Sequence, residues 1–304
     1  MPASDVTTAR DDKARIPVSR RRHRVSFWLI HAGCLGVLWT GASPASIGAC
    51  AAFYFVRMFA ITGWYHRYFS HRSFRAGRPV QFLFAFLGCA AAQKGPLWWA
   101  SHHREHHRFS DTPKDPHSPV HQGFWRSHVL WFLDPASHAL RGNRIRDFLA
   151  YPELRWLERF HWTAIAASMA VLFALGHALG RAAPSLGTGG LQMVVWGFFV
   201  STVLVYHGTF SVNSLGHMLG RQRYSTGDQS RNNSLIALLT LGEGWHNNHH
   251  RYPISARQGF FWWEIDPTWY MLRILSWLGL IRDLKGVPDA VKREARPSGP
   301  GSPN

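Results

Sequence analysis

Long uncharged runs alternate with dense polar ones along the chain. From Val25 to Val56 there is no Asp, Glu, Lys or Arg. That run is too long for one membrane-spanning helix, which needs about 20 residues. The turn-prone stretch Gly41-Ala42-Ser43-Pro44 divides it. Two helices are therefore expected, about 25–42 and 45–64. Arg57 falls inside the second, where a charge is costly unless it faces protein or water. A second pair follows. Residues 161–180 and 182–220 also lack those four residue types, with Arg181 between them. Spans over 161–180 and 191–210 are expected, joined by a Gly/Ser/Pro loop. Pro79–Gln93 is apolar but short, and reads as a half-buried or interfacial helix.

The polar blocks set the orientation. Lys plus Arg number 34 against 17 Asp plus Glu in 304 residues, a formal net charge of +17. Apart from Arg57 and Arg181, the cations lie in the N-terminus, in 65–160 and after 217. The positive-inside bias places all three in the cytoplasm. The expected fold class is all-α integral membrane: four transmembrane helices in two hairpins, with both termini cytoplasmic. Residues 1–24 form a basic cytosolic N-terminus, and 25–285 form one membrane domain. Its cytosolic helical cap is built from 65–160 and 211–285. Residues 286–304 are expected to be a disordered tail. A basic chain can also bind nucleic acid, but the block pattern makes the lipid bilayer the expected partner and no nucleic acid is expected. The first apolar run is longer than a signal-peptide core and a second span follows at once. Hydrophobic residues at 46% and aromatics at 14% exclude a disordered chain. Cys34, Cys50 and Cys89 lie in apolar stretches, which excludes a disulfide scaffold.

The 19 histidines carry the candidate chemistry. They group as His66 with His71, His103 with His106 and His107, and His246 with His249 and His250; His217 stands just past the fourth expected helix. Each group falls on the cytoplasmic side, at or below a helix end. Helix positions i, i+3 and i+4 share a face, so each HxxHH triplet can converge on one point. His66 and His71 are five apart and converge only if the helix ends between them or a metal sits to one side. Isolated His23, His31, His138, His161 and His177 read as ordinary core or surface residues. Imidazole is the commonest neutral metal ligand. A catalytic zinc keeps about three protein ligands, so nine histidines suit two metals. Haem ligands would lie nearer mid-membrane, a metal transporter would carry ligands within its spans, and the Glu-x-x-His pattern of soluble di-iron bundles is not repeated here. Two irons held almost wholly by histidine remain, a centre suited to activating O2 against a lipid-soluble substrate. A basic membrane adaptor would tolerate loss of these histidines.

The groups resemble the three histidine boxes of the integral-membrane fatty acid desaturases. The nearest likeness is the stearoyl-CoA (Δ9) acyl-CoA branch. It rests on Gly63-Trp-Tyr-His66-Arg67, Trp99 before the second box, His107-Arg-Phe-Ser-Asp111, Asp115-Pro-His117, Asn213-Ser-x-x-His217 and Gly242-Glu-Gly-Trp-His246-Asn-Asn-His249-His250. The resemblance runs from about 25 to 285. It implies two Fe ions bound by His66, His71, His103, His106, His107, His217, His246, His249 and His250, with Asn213 acting through a water. It implies O2 as co-substrate and a bent tunnel for the acyl chain, with Trp99 near the bend. The expected reaction inserts a cis double bond, at Δ9, into a saturated acyl chain; hydroxylation of an acyl chain or lipid is the alternative.

An unactivated methylene is not acidic, so no side-chain base can start this reaction, and the protein binds and orients. Electrons must come from a ferredoxin or cytochrome b5-like donor with its reductase, because no cofactor fingerprint or cysteine cluster is present. The basic cap suits an acidic donor, anionic lipid head groups and CoA phosphates alike. Ser101 and His102 replace an Arg-Asp pair that the animal acyl-CoA members use toward CoA, and Lys94 replaces an Asn. The acyl carrier is therefore open between CoA, a phospholipid and a carrier protein. His102 can be read as a tenth ligand, though His103 fits the box spacing better. Metal-bound imidazoles usually donate their other N–H to a carboxylate. The candidates are Asp111 and Glu243 first, then Glu105, Asp115 and His117. The compact form points to a bacterial inner membrane.

Overall fold

The computed structural model describes residues 20–295, and the chain over that range is mostly helical. Residues 1–19 of the expected N-terminal segment lie outside the described residues. Among the described residues, three helices are long and apolar enough to cross a membrane: Pro44–Ser70, Trp162–Ala182 and Gly190–His217. They contain three of the four expected spans, but two of them run further than expected, past 64 to Ser70 and past 210 to His217. The added turns are polar and carry histidines, which is why hydropathy does not extend into them. The first expected segment is helical over Arg20–Gly33 and Val37–Thr40, with the 3-10 turn Cys34–Gly36 between them. It is not among the membrane-length apolar helices. Gly33 and Gly36 seat it closely on the Gly190–His217 helix, since a Cβ there would stand 2.3 Å from Phe199 and 2.7 Å from Val195. Leu38 and Trp39 on its other side are 75% and 81% exposed, as lipid-facing residues would be.

The expected turn at 41–44 is built as a helix start. Gly41 has φ 63°, and Ser43 and Ser46 exchange side-chain-to-backbone hydrogen bonds ahead of Pro44. Arg57 is buried between helices. Its guanidinium donates to Phe53 O, Ala90 O, Gly197 O, Thr202 Oγ1 and Ser201 Oγ. Residues Val195–Val200 are wound as a π-helix. Such a turn loosens the i−4 ladder and leaves carbonyls such as that of Gly197 free for a side chain. The short helix expected over Pro79–Gln93, half-buried or interfacial, spans Arg78–Cys89, with Gln81, Ala85, Gly88 and Cys89 buried.

The cap is made of shorter helices, among them Pro96–Phe109, Pro152–Phe160, His246–Arg251 and Pro267–Trp277. Arg75–Ala76 pairs antiparallel with Ile281–Arg282 and ties the end of the first long helix to the C-terminal segment. One core cluster joins Trp64, Phe69, Phe148 and Leu154; another joins Trp98, Phe132, Phe198 and Tyr206. Of the tail expected over 286–304, residues 296–304 lie outside the described residues; within 286–295, Asp289–Arg293 is helical, and buried Val291 clusters with Tyr224 and Phe260.

Candidate metal centre

The first long helix changes from α to π winding at Ala60 and ends at Ser70. In a π turn the hydrogen bond runs i to i+5, so residues five apart stack on one side. This brings His71 over His66, with ring centroids 5.0 Å apart. The helix Pro96–Phe109 supplies His103, His106 and His107. Its N-terminus is held by Glu158, whose Oε2 accepts from Leu97 N and Trp98 N at 3.0 Å each. The helix His246–Arg251 supplies the last triplet. Before it, Gly242 has φ +117°, and a Cβ there would lie 2.4 Å from Asp266 Oδ1, so the turn demands glycine.

The nine expected histidines fall into two groups. His66, His71, His103, His107 and His249 form one; His106, His217, His246 and His250 form the other. Within each group the nearest ring nitrogens lie within 4.8 Å of one another. The groups abut, with the His107 and His250 ring centroids 4.5 Å apart. His102 joins neither. It stacks on Trp98 and its Nε2 faces Ala139 O at 2.9 Å, so it is a packed core residue.

Carboxylates fix the proton positions. Glu243 receives His66 Nδ1, Asp111 receives His217 Nδ1 at 2.7 Å, Asp115 receives His106 Nδ1 at 3.0 Å, and Asp228 receives His250 Nδ1 at 2.6 Å. A neutral imidazole has one N–H; with it given to the carboxylate, such a ring keeps a bare lone pair on Nε2. Yet His249 Nε2 stands 2.9 Å from both His66 Nε2 and His107 Nε2, and His217 Nε2 stands 2.9 Å from His246 Nε2. His250 Nε2 is buried with no hydrogen-bond partner. His246, free at Nδ1, can donate from Nε2 to only one of the three carboxylate-held rings grouped with it, so with neutral rings unpaired lone pairs remain and the donor set fits metal ions. Burial first, then neighbouring imidazoles, pushes His71, His103, His107, His246 and His249 well below the ordinary histidine range. These rings are neutral, the form that ligates.

The anions are anchored in turn. Buried Arg67 binds Glu243 Oε1 at 3.1 Å and Asp266 Oδ1 and Oδ2 at 3.0 Å. Burial alone would raise the Glu243 carboxyl, but His66 and Arg67 outweigh it and hold the group below its usual range. Burial likewise opposes Asp111, yet His217, Ser118 and the Gln229 N–H bring it down to about 2. Asp111 and Glu243 thus touch His217 and His66. Asp115 touches His106, whereas Glu105 pairs with Arg141 and Arg144. Sequence reasoning missed Asp228. It sits in a polar loop with no local pattern linking it to His250.

Two cavities reach the groups. One is lined by Gln93, Trp131, Phe132 and Phe210 among others; the second touches Ile61, Thr62, His66, Glu243 and His246. Trp99, His103, Thr209 and Asn213 line both. Trp99 stacks on His103 with centroids 5.1 Å apart, and its Nε1 donates to Gln93 Oε1 at 3.3 Å. Gln93 Nε2 donates to Thr209 Oγ1 at 2.8 Å, closing the wall where the cavities meet.

A helical protein with membrane-length helices and buried, metal-compatible histidine clusters is the class that this fold and site define. The fatty acid desaturase family model matches residues 42–276, and the chain belongs to that family. It is 39% identical to an acyl-CoA 5-desaturase of Anemone leveillei over 268 residues, 87% of this chain and 79% of the relative. It is 36% identical to an acyl-CoA C20 Δ5-desaturase of the same plant over 302 residues, 97% of this chain and 92% of the relative. It is 41% identical to an sn-1 stearoyl-lipid 9-desaturase of Synechocystis sp. over 231 residues, 75% of this chain and 68% of the relative. The protein is an acyl desaturase, an oxidoreductase acting on a fatty acyl chain.

Proposed function

We propose that this protein is an O2-dependent desaturase that inserts a cis double bond at Δ9 of a saturated acyl chain. His66, His71, His103, His107 and His249 hold one iron. His106, His217, His246 and His250 hold the second, with Asn213 acting through a water. The observation that supports this reading is the convergence of nine histidines into two groups, with the Nδ1 atoms of His66, His106, His217 and His250 held by carboxylates. Two irons bound there would supply O2 activation, so that O2, two substrate hydrogens, two electrons and two protons become two waters and a C=C bond.

The chain's own residues bind and orient. The Trp99–Gln93–Thr209 wall at the junction of the cavities holds the acyl chain against the histidines, and Trp131, Phe132 and Phe210 exclude water around it. Similarity to the stearoyl-lipid 9-desaturase supports Δ9. The acyl carrier is CoA or a lipid, as in the names of the relatives. A ferredoxin or cytochrome b5-like donor with its reductase supplies the electrons at the basic cap. The helix at 20–40 and the three long helices form four spans in two hairpins, with both termini cytoplasmic, in a bacterial inner membrane.

The test is the fatty acid profile, with double-bond location by mass spectrometry, of a host without its own desaturase that supplies a donor. It compares wild type with His106→Ala. A new cis Δ9 monounsaturated acid in wild type alone is expected. A hydroxylated acid would favour the alternative hydroxylase reading. An unchanged profile in an iron-loaded protein with a working donor would overturn the reading.

A further inference from the structure

A third cavity lies in the cap and shares no lining residue with the two that reach the histidines. Its rim carries Arg72, Arg75, Arg282 and Lys285 with one acid, Asp283. Tyr68, Phe74 and Tyr151 give it an aromatic wall. The rim comes from two distant parts of the chain. Arg72 and Arg75 follow the first long helix. Arg282, Asp283 and Lys285 lie in the C-terminal segment, which the pairing of Arg75–Ala76 with Ile281–Arg282 brings alongside.

The charges repel as they stand. The register sets Arg75 directly opposite Arg282, and like charges directly opposite on paired strands are destabilising. The ladder is only two residues long on each side, so little backbone bonding offsets that repulsion. Asp283 meets Arg75 at 3.2 Å, but both side chains are more than half exposed, and such an ion pair contributes little. Asp147 meets Arg72 at 3.1 Å and is shared with Arg104. Lys285 Nζ donates to Arg72 O at 2.8 Å, and among the described residues no carboxylate pairs with it or with Arg282. Burial first, then Arg75 and Arg72, lowers the Lys285 ammonium below its ordinary range, against Asp283.

The cations are also held in place. Arg72 has φ 55°, a region that side chains other than glycine's seldom take, and its guanidinium lies over the Phe148 ring at 4.3 Å. Lys285 is bonded through both of its backbone atoms: its N–H donates to Ser73 O at 2.9 Å, and its carbonyl accepts from Ala256 N at 2.8 Å. A single carboxylate offers two oxygens and one charge to these four groups. A phosphate offers more oxygens in a tetrahedral spread. Guanidinium forks bind its oxygens in pairs, and the ammonium adds a point charge.

We propose that this cavity is a binding site for the phosphate group of an organic phosphate, held by Arg72, Arg75, Arg282 and Lys285 with its organic part against the aromatic wall. The phosphate belongs to a phospholipid head group or to a soluble ester. Either would clamp the C-terminal segment to the chain one residue past His71. The site is separate from the acyl cavities and does not rest on the desaturase reading. In the test, purified protein in detergent is titrated calorimetrically with inorganic phosphate at constant ionic strength. Native mass spectrometry then counts the phosphatidylglycerol retained per chain. Arg75→Ala/Arg282→Ala, at two exposed positions, should weaken binding by about tenfold or more, since it removes two hydrogen-bonding charges. Arg155→Ala/Arg159→Ala removes the same charge at exposed positions outside the cavity and should bind as wild type does. Lipid retained by wild type and lost in the first variant assigns the site to a head group. Phosphate binding with no lipid retained assigns it to a soluble ester. No binding of phosphate or lipid by folded wild type overturns the site. Binding that is unchanged in the first variant, or weakened equally in both, overturns it as well.

Discussion

Replacing Asp228 by Asn should weaken iron at the four-histidine group and spare the five-histidine group. Asp228 Oδ2 receives His250 Nδ1 at 2.6 Å, while Oδ1 receives Thr226 Oγ1 at 2.6 Å, Ser230 N at 3.0 Å and Ser230 Oγ at 2.5 Å. Both carboxylate oxygens are therefore acceptors facing donors. Burial would raise this carboxyl, but His250, Ser230 and Thr226 hold it far below the usual range, so it is an anion at any working pH. An Asn amide has one acceptor oxygen. In one orientation its NH2 meets His250 Nδ1–H; in the other it meets the Ser230 N–H. The ring can escape the first clash only by moving its proton to Nε2, the atom that would ligate. Loss of an outer partner of a ligating histidine typically costs about 10–100-fold in metal affinity, or about 1.4–2.8 kcal/mol. Titration of the Asp228→Asn variant with a ferrous chelator, read as iron per chain, should show one iron leaving at about 10–100-fold lower chelator than in wild type. The second iron should leave where it does in wild type. Equal loss of both irons would mean that Asp228 supports the cap as a whole. An unchanged titration would mean that His250 does not ligate.

His102→Ala should keep the full iron content, and His103→Ala should lower it, because only His103 Nε2 joins a group; elemental analysis of the two purified variants checks this. Lys94→Met should stabilise the protein at and below neutral pH by about 1–4 kcal/mol. The Lys94 ammonium is buried with no hydrogen-bond partner, and burial pulls it from 10.5 down to about 7, with Glu158 opposing. The folded-state value is the lower one, so its stability contribution is complete above about 10.5 and is lost as pH falls through about 7. Thermal unfolding in detergent should therefore rise less steeply between about pH 7 and 10.5 in the variant, and an identical slope in the two proteins would refute the account.

How much of this site the sequence made legible follows from which forces are local. Apolar runs report burial in lipid residue by residue, so 161–180 and the middles of the two longest helices were readable. The same signal stops where the chain turns polar, so it missed the last turns to Ser70 and His217. Those turns carry His66 and His217, and they are helical because the cap covers them. The i, i+3, i+4 rule put each triplet on one side of its helix, but neither triplet converges on one point as expected: His106 parts from His103 and His107, and His249 parts from His246 and His250, because each helix runs between the two groups. It gave no single answer for His66 and His71, because the choice between α and π winding depends on what packs around 60–70. The carboxylates divide in the same way. Asp111 and Asp115 follow the second box within one helix end and its turn, near enough in sequence to be suspected. Asp228 reaches His250 only after a loop folds back, and no spacing rule carries that contact. His31 looked like an isolated residue for the same reason: its partner, His207, is 176 residues away. Sequence therefore identifies the histidines that gather in the two groups, because they ride on local structure. The groups that set the proton on each ring are distant in the chain, and tertiary packing alone brings them there.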